Sequence, residues 1–185
     1  MSDTEPDINS RIAALRKARN WRLEELAERS GVSRATLSRI ERGDTSPTAV
    51  VLGQLARAFG ITMAELFGFG APVGDARIAR ADQPLWEDPE TGFRRRSVSP
   101  ASSGFRGSVI EGELPAGATI SYSVPPLPDL EHHLVLLAGR LVMTIGDMRH
   151  ELLPGDCLRF RLNAPNAYHA PGPDPARYLL TVITP

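Results

Sequence analysis

At 185 residues, with 42% hydrophobic and 23% charged side chains, the chain has room for one domain or two small ones and is too apolar for a largely disordered polypeptide. No uninterrupted apolar run approaches the roughly 20 residues of a membrane span, the acidic start MSDTEPDINS does not read as a secretory signal, and the single cysteine, Cys157, excludes an internal disulfide framework or a Cys-cluster zinc site. Net charge is −1 but uneven: residues 8–70 carry ten Lys/Arg against six Asp/Glu, and residues 71–185 carry eleven against thirteen. The basic segment permits nucleic-acid binding, and the profile as a whole leads to the expectation of a cytoplasmic protein.

From Ile8 to Phe67 the apolar residues recur at three- and four-residue steps: Ile12 and Leu15, then Leu23, Leu26 and Ala27, then Leu37 and Ile40, then Val51, Leu52 and Leu55. Ser30-Gly31-Val32 and Arg42-Gly43-Asp44 interrupt the pattern. Ser33 is placed to cap a helix, Thr48 follows another start signal, and Thr62 with Glu65 three residues on forms a capping box. These features predict about five short helices. GFGAPVGD, residues 68–75, reads as a linker. Beyond it, FRRRSVS, GSVIEGEL, ATISYSV, HHLVLLAG, RLVMTIG, RHELL, DCLRF and ARYLLTVIT read as short strands between Gly/Pro turns, which predicts a sandwich or barrel over residues 76–185.

In the helical half, Leu26-Ala27-x3-Gly31-x5-Leu37-x2-Ile40 carries the functional signal. Ala27 supplies the small residue at a close helix crossing, and Gly31 supplies a left-handed turn. Leu37 and Ile40 bury one face of the second helix, so Ser33, Arg34, Ser38 and Arg39 stand on the other, with Ala35 and Thr36 beside them. A helix of this size fits the major groove. LEELAERSGVSRATLSRIERGDTSPTAVVLGQLARAFGI resembles the phage-repressor-type (Xre) helix-turn-helix domain over residues 8–67. The resemblance implies a lambda-repressor-like five-helix fold that binds double-stranded DNA. It places base reading on Arg34, Ala35 and Arg39, with Ser33, Thr36 and Ser38 close to bases or backbone. Leu23 stands where the family often has a Gln, leaving Arg22 to touch phosphate, and Arg42 is a phosphate neighbour. Arg16 and Glu41 match the family's structural ion pair between its first and third helices.

EHHLVLLAGRLVMTIGDMRHELLPGDCLRFRLNAPNAYHA resembles the cupin (double-stranded β-helix, jelly-roll) barrel, and helix-turn-helix followed by cupin is a bacterial regulator architecture. Many cupins hold a divalent metal on three imidazoles and a carboxylate. Registered on Gly139, the glutamate slot falls on His132 and the first two histidine slots on Leu127 and Pro125. The last histidine slot falls on Asn166. No metal and no cofactor is therefore expected. His132 and His133 face opposite sides of a strand, and the family register turns His132 inward. Tyr122, His132, Asn166 and Tyr168 are expected to line an effector pocket, with Phe160 as an apolar wall. His150 is expected at a strand end, His169 on a loop, and Cys157 in inert packing.

The favoured function is a sequence-specific transcriptional regulator, expected to be a repressor as many members of the family are, whose cupin domain senses a small molecule and holds a homodimer. The alternatives are a cupin enzyme with an attached DNA-binding module, or a regulator whose barrel only dimerises. Loss of the metal slots argues against the enzyme. The long apolar strands LVLLAG and YLLTVIT, which need cover on their outer faces, place the dimer contact in the barrel.

Overall fold

The computed structural model describes residues 8–67, 76–102 and 104–185. Five helices come first: α1 (Ile8–Ala18), α2 (Leu23–Ser30), α3 (Arg34–Glu41), α4 (Ala49–Phe59) and α5 (Met63–Phe67). Their ends follow the local chemistry that the sequence announces. Ser33 Oγ accepts the Thr36 N–H at 3.1 Å, and Thr48 Oγ1 accepts the Val51 N–H at 3.3 Å. Thr62 and Glu65 exchange both bonds of a capping box, at 2.6 and 3.0 Å. Gly31 ends α2 at φ 75°, a conformation in which any Cβ is strained. Ile12, Leu26, Leu37, Ile40, Leu52, Leu55 and Leu66 are fully buried between the helices. Each contributes about 1.5–3 kcal/mol relative to an exposed side chain. The residues read as a linker, 68–75, lie outside the described residues.

Among the described residues, ten strands form two antiparallel sheets. The larger runs β1 (Leu85–Glu87), β2 (Arg94–Ser99), β3 (Gly107–Leu114), β10 (Ala176–Ile183), β5 (Leu130–Ala138) and β8 (Cys157–Leu162) in spatial order. The smaller runs β4 (Thr119–Tyr122), β9 (Asn166–His169), β6 (Leu141–Ile145) and β7 (Met148–Leu152). Alternation puts Leu130, His132, Leu134 and Leu136 of β5 inside with Tyr178, Leu180 and Val182 of β10, which is the jelly-roll barrel expected of a cupin. Four sequence readings need correction. His150 is not at a strand end: it is the central residue of β7, opposite Met143. His169 is not on a loop: it ends β9, where its Nδ1 lies 2.9 Å from Thr119 Oγ1. Cys157 is exposed, because its strand turns Leu158, Phe160 and Leu162 toward the barrel and so turns Cys157 out. Phe160 is the fourth, taken up with the cavity below.

The helices sit directly on the barrel. The buried Asp88 carboxylate accepts the N–H of Ala49 at the start of α4, and also those of Glu90 and Thr91, both at 2.8 Å, in its own turn. The Phe67 ring of α5 lies 5.5 Å from Trp86, and ring contacts continue through Phe93, Tyr178 and Tyr168 to Tyr122. Tyr122 then meets α4 at Gly53. A Cβ there would come within 2.9 Å of the Tyr122 ring, so only glycine allows this approach. Alanine in a helix interior ordinarily gains up to about 1 kcal/mol over glycine. Gly53→Ala should instead lose about 1–3 kcal/mol, because Tyr122 is packed on its other side and has to move. Urea unfolding of the two proteins measures the sign, and a stabilised variant would mean that the ring yields freely.

Candidate functional site

The second helix of the helix-turn-helix, α3, presents its polar face to solvent. Arg34, Ala35 and Arg39 are exposed, as is the capping Ser33, while Thr36 and Ser38 are half-buried. Arg34 is held by Glu24 of α2 in an ion pair open to water on both sides, so the pair is weak and free to exchange for phosphate or a base. A hydrogen bond from its own backbone N–H pulls the Glu24 carboxyl below its ordinary range, with Arg34 adding to the effect. Arg42 is tied to Asp44 at 2.7 Å and donates to Ser38 Oγ. Arg22 stands exposed at the start of α2, its N–H donating to Glu25 at 2.8 Å. Behind this face, Arg16 meets Glu41 through two bonds of 2.6 and 2.7 Å and also donates to the Trp21 carbonyl at 2.7 Å. The bond to Glu41 raises the Arg16 pKa against the opposing effect of burial. This fork fixes α1 against α3 and so sets the angle at which α3 is offered.

The barrel contains a cavity with about 90 Å³ of room for water-sized groups. Tyr122, His132, Asn166 and Tyr168 line it together, alongside Arg95 and a largely apolar wall that includes Ile110, Ile120 and Leu180. Phe160 does not line it. Its ring faces inward near the sheet edge, and it packs edge-on against the His132 ring at 5.0 Å instead. Gly53, Thr62, Met63 and Ala64 of the helical half complete the wall. His132 is 6% exposed and its Nδ1 has no hydrogen-bond partner. Burial, with His133 adding to it, pushes its pKa down to about 4, so it is neutral at physiological pH. Burial likewise pushes the Tyr122 hydroxyl up to about 12.

The helix-turn-helix family (HTH_3) matches residues 12–66. The HTH-type transcriptional regulator SutR of Escherichia coli is 25% identical over 89% of this chain and 88% of its own length. The HTH-type regulator y4dJ of Sinorhizobium fredii is 41% identical over 59 residues, which span 32% of this chain and 77% of y4dJ. The chain belongs to the helix-turn-helix transcriptional regulators of the Xre type. A solved HTH_3 family regulator from Vibrio cholerae superposes with a TM-score of 0.77 over 98% of this chain and 97% of its own, at 23% identity, so the fold is shared along the whole length. The hydroxypropylphosphonic acid epoxidase from S. wedmorenis superposes at a TM-score of 0.50 over 97% of this chain and 98% of its own, at 16% identity, and shares the fold alone.

The cupin likeness raises the question of a metal in this regulator, and the donor set does not fit one. Among the described residues no group of three His, Cys, Asp or Glu side chains converges, and His132 is the one imidazole on the cavity wall. The sequence reading missed Arg95, and also Gly53, Asp88 and Phe67, which join the two halves. A signal for Arg95 was present in FRRRSVS, since alternation must turn one of three consecutive arginines toward the barrel interior.

His132 carries a consequence for acid stability. Its folded pKa is about 4 against the ordinary 6.5 of a free imidazole, so between those pH values the unfolded chain takes up a proton that the native one refuses. Stability from this group is full above the upper value and is lost as pH falls through the window, by about 3 kcal/mol in all. His132→Leu should flatten that part of the profile in urea unfolding between neutral and mildly acidic pH, and an unchanged slope would show that other groups dominate.

Proposed function

We propose that this regulator senses a small molecule in its barrel, without catalysing a reaction on it, and passes the binding event to the helix-turn-helix unit across the contact between the two halves, working in the cytoplasm as a homodimer. The observation that carries the reading is the make-up of the cavity wall. Gly53, Thr62, Met63 and Ala64 from the helices stand beside Tyr122, His132, Asn166 and Tyr168 from the strands. A molecule in that space touches both halves. If it prefers one arrangement of them by about 1–3 kcal/mol, DNA affinity changes some 5–150-fold. The shared wall favours this direct route over transmission through residues 68–75. Sensing is favoured over catalysis because the wall offers one imidazole and no carboxylate among the described residues, whereas acid–base work generally needs paired groups with separated pKa values.

On the DNA side, Arg34, Ala35 and Arg39 read bases, Ser33, Thr36 and Ser38 adjust to bases or backbone, and Arg22 and Arg42 hold phosphates. The exposure of Arg34 and Arg39 on one face of α3 supports this assignment. Arg34→Ala should cost about 1–3 kcal/mol on the preferred operator and much less on random duplex, measured by fluorescence anisotropy at fixed salt. Equal losses on both would reduce Arg34 to a phosphate contact.

One recognition helix spans few base pairs, so useful affinity needs two half-sites and hence two chains. The outer face of the larger sheet supports the dimer: Val135 pairs in register with Leu179 of β10 and with the exposed Cys157 of β8, and Leu137 is 39% exposed on the same face. Sedimentation of the full chain should give a dimer, and Val135→Glu a monomer with weakened operator binding. A dimer indifferent to Val135→Glu would move the interface elsewhere.

A further inference from the structure

Strand β2 places arginine at three successive positions, and the barrel treats them unequally. Arg94 and Arg96 point outward and meet Glu113 and Glu111 on β3, each at 3.6 Å. Arg95 points inward and is 4% exposed. Its Nη1 donates to Ser97 Oγ at 3.1 Å, and its guanidinium lies 4.2 Å over the Phe67 ring. Its Nη2 has no hydrogen-bond partner, and among the described residues no carboxylate is paired with Arg95. Burial draws its pKa down to about 10, which still leaves a full positive charge at neutral pH. A hydroxyl and a ring face compensate only part of the cost of burying such a charge.

The residue also borders the cavity. Arg95 is part of the wall, and among the described lining residues there is no Asp, Glu or Lys. His132, also on the wall, brings a second unpartnered polar atom, and the remainder is mostly apolar. The room is several times the roughly 10–15 Å³ needed to seat one water, enough for a small organic group. We propose that the cavity takes a small apolar carboxylate, its anion seated on the free edge of the Arg95 guanidinium and its body among Ile110, Ile120, Leu130 and Leu180. This rests on the reading of the barrel as an effector site and adds the effector's chemical class. The guanidinium fork matches a carboxylate in shape as well as charge, and a neutral isostere would leave the buried cation unpaired.

Calorimetry and thermal melts of the full-length protein with butyrate, hexanoate and benzoate, each against its amide at millimolar concentration, test the proposal. At least one carboxylate should raise Tm and bind about 30-fold or more tighter than its amide. Arg95→Met, which removes an unpaired buried charge at similar volume, should fold and lose that preference. Arg95→Lys should keep the order carboxylate over amide with weaker binding, and it serves as the readout should the Met variant not fold. An amide bound as tightly as its acid, a preference that survives Arg95→Met or vanishes in a folded Arg95→Lys, or no binding across the panel, each overturns the proposal. Operator binding measured in parallel separates the two ideas. A carboxylate that binds through Arg95 without changing operator affinity leaves the anion site standing and removes the effector reading. An amide that binds as well as its acid and still shifts operator affinity does the reverse.

Discussion

The carboxylate of Asp88 accepts the N–H of Ala49 at the positive end of α4 while bracing its own turn through Glu90 and Thr91. A buried carboxylate satisfied by three backbone donors, one of them at a helix N-terminus, has no cheaper position to occupy. It fixes where α4 lies on the barrel, and the other contacts follow. With α4 in that place, Gly53 comes against Tyr122, the cavity gains its helical wall, and α5 sets Phe67 between Trp86 and Arg95. Among the described residues, the two halves are thus joined by a polar pin and a run of aromatic packing.

Such a joint suits the proposed sensor, in which the occupant of the barrel favours one of two arrangements. Interdigitated rings resist small deformation and tend to switch between discrete packings. Arg95 stands where a switch can act, because its guanidinium is shared by the Phe67 ring on the helical side and the cavity on the other. An anion that neutralises part of its charge weakens its attraction for the ring quadrupole. The occupant of the barrel and the position of α5 therefore draw on the same cation. Coupling needs this kind of differential contact, which a long connecting segment does not supply by itself.

The helices were legible because their start and stop signals are local: Ser33, Thr48, Thr62 and Gly31 act within three or four residues of themselves. Strands with a clean alternation, such as those holding Ile110 and Leu134, were legible for the same reason. β9 was not, since four residues beside Pro165 become a strand only through pairing with β4 and β6, which lie far away in sequence. Family register pointed to His132 and Asn166, with Tyr122 and Tyr168 expected beside them as lining residues, and the four share one cavity. Cys157 was misjudged although the alternation of Leu158, Phe160 and Leu162 already turned it outward. Arg95 was passed over because no local rule says whether an inward arginine will find a carboxylate. That depends on which strands become its neighbours.

The missing metal donors and the buried arginine are best understood as one change of chemistry. Imidazoles and a carboxylate turn lone pairs toward the centre of a barrel and draw a divalent cation, whereas a guanidinium turns N–H donors toward it and draws an anion. The two do not coexist easily in a space this small. A single and a double positive charge about 10 Å apart repel by about 3 kcal/mol at an effective dielectric of about 20. With Arg95 inside, restoring individual histidines at positions 125 and 127 would still leave a field opposed to the metal. The same field lowers the cost of bringing a carboxylate out of water. In this barrel the sign of one buried charge, that of Arg95, opposes a metal centre and suits the anion receptor proposed above.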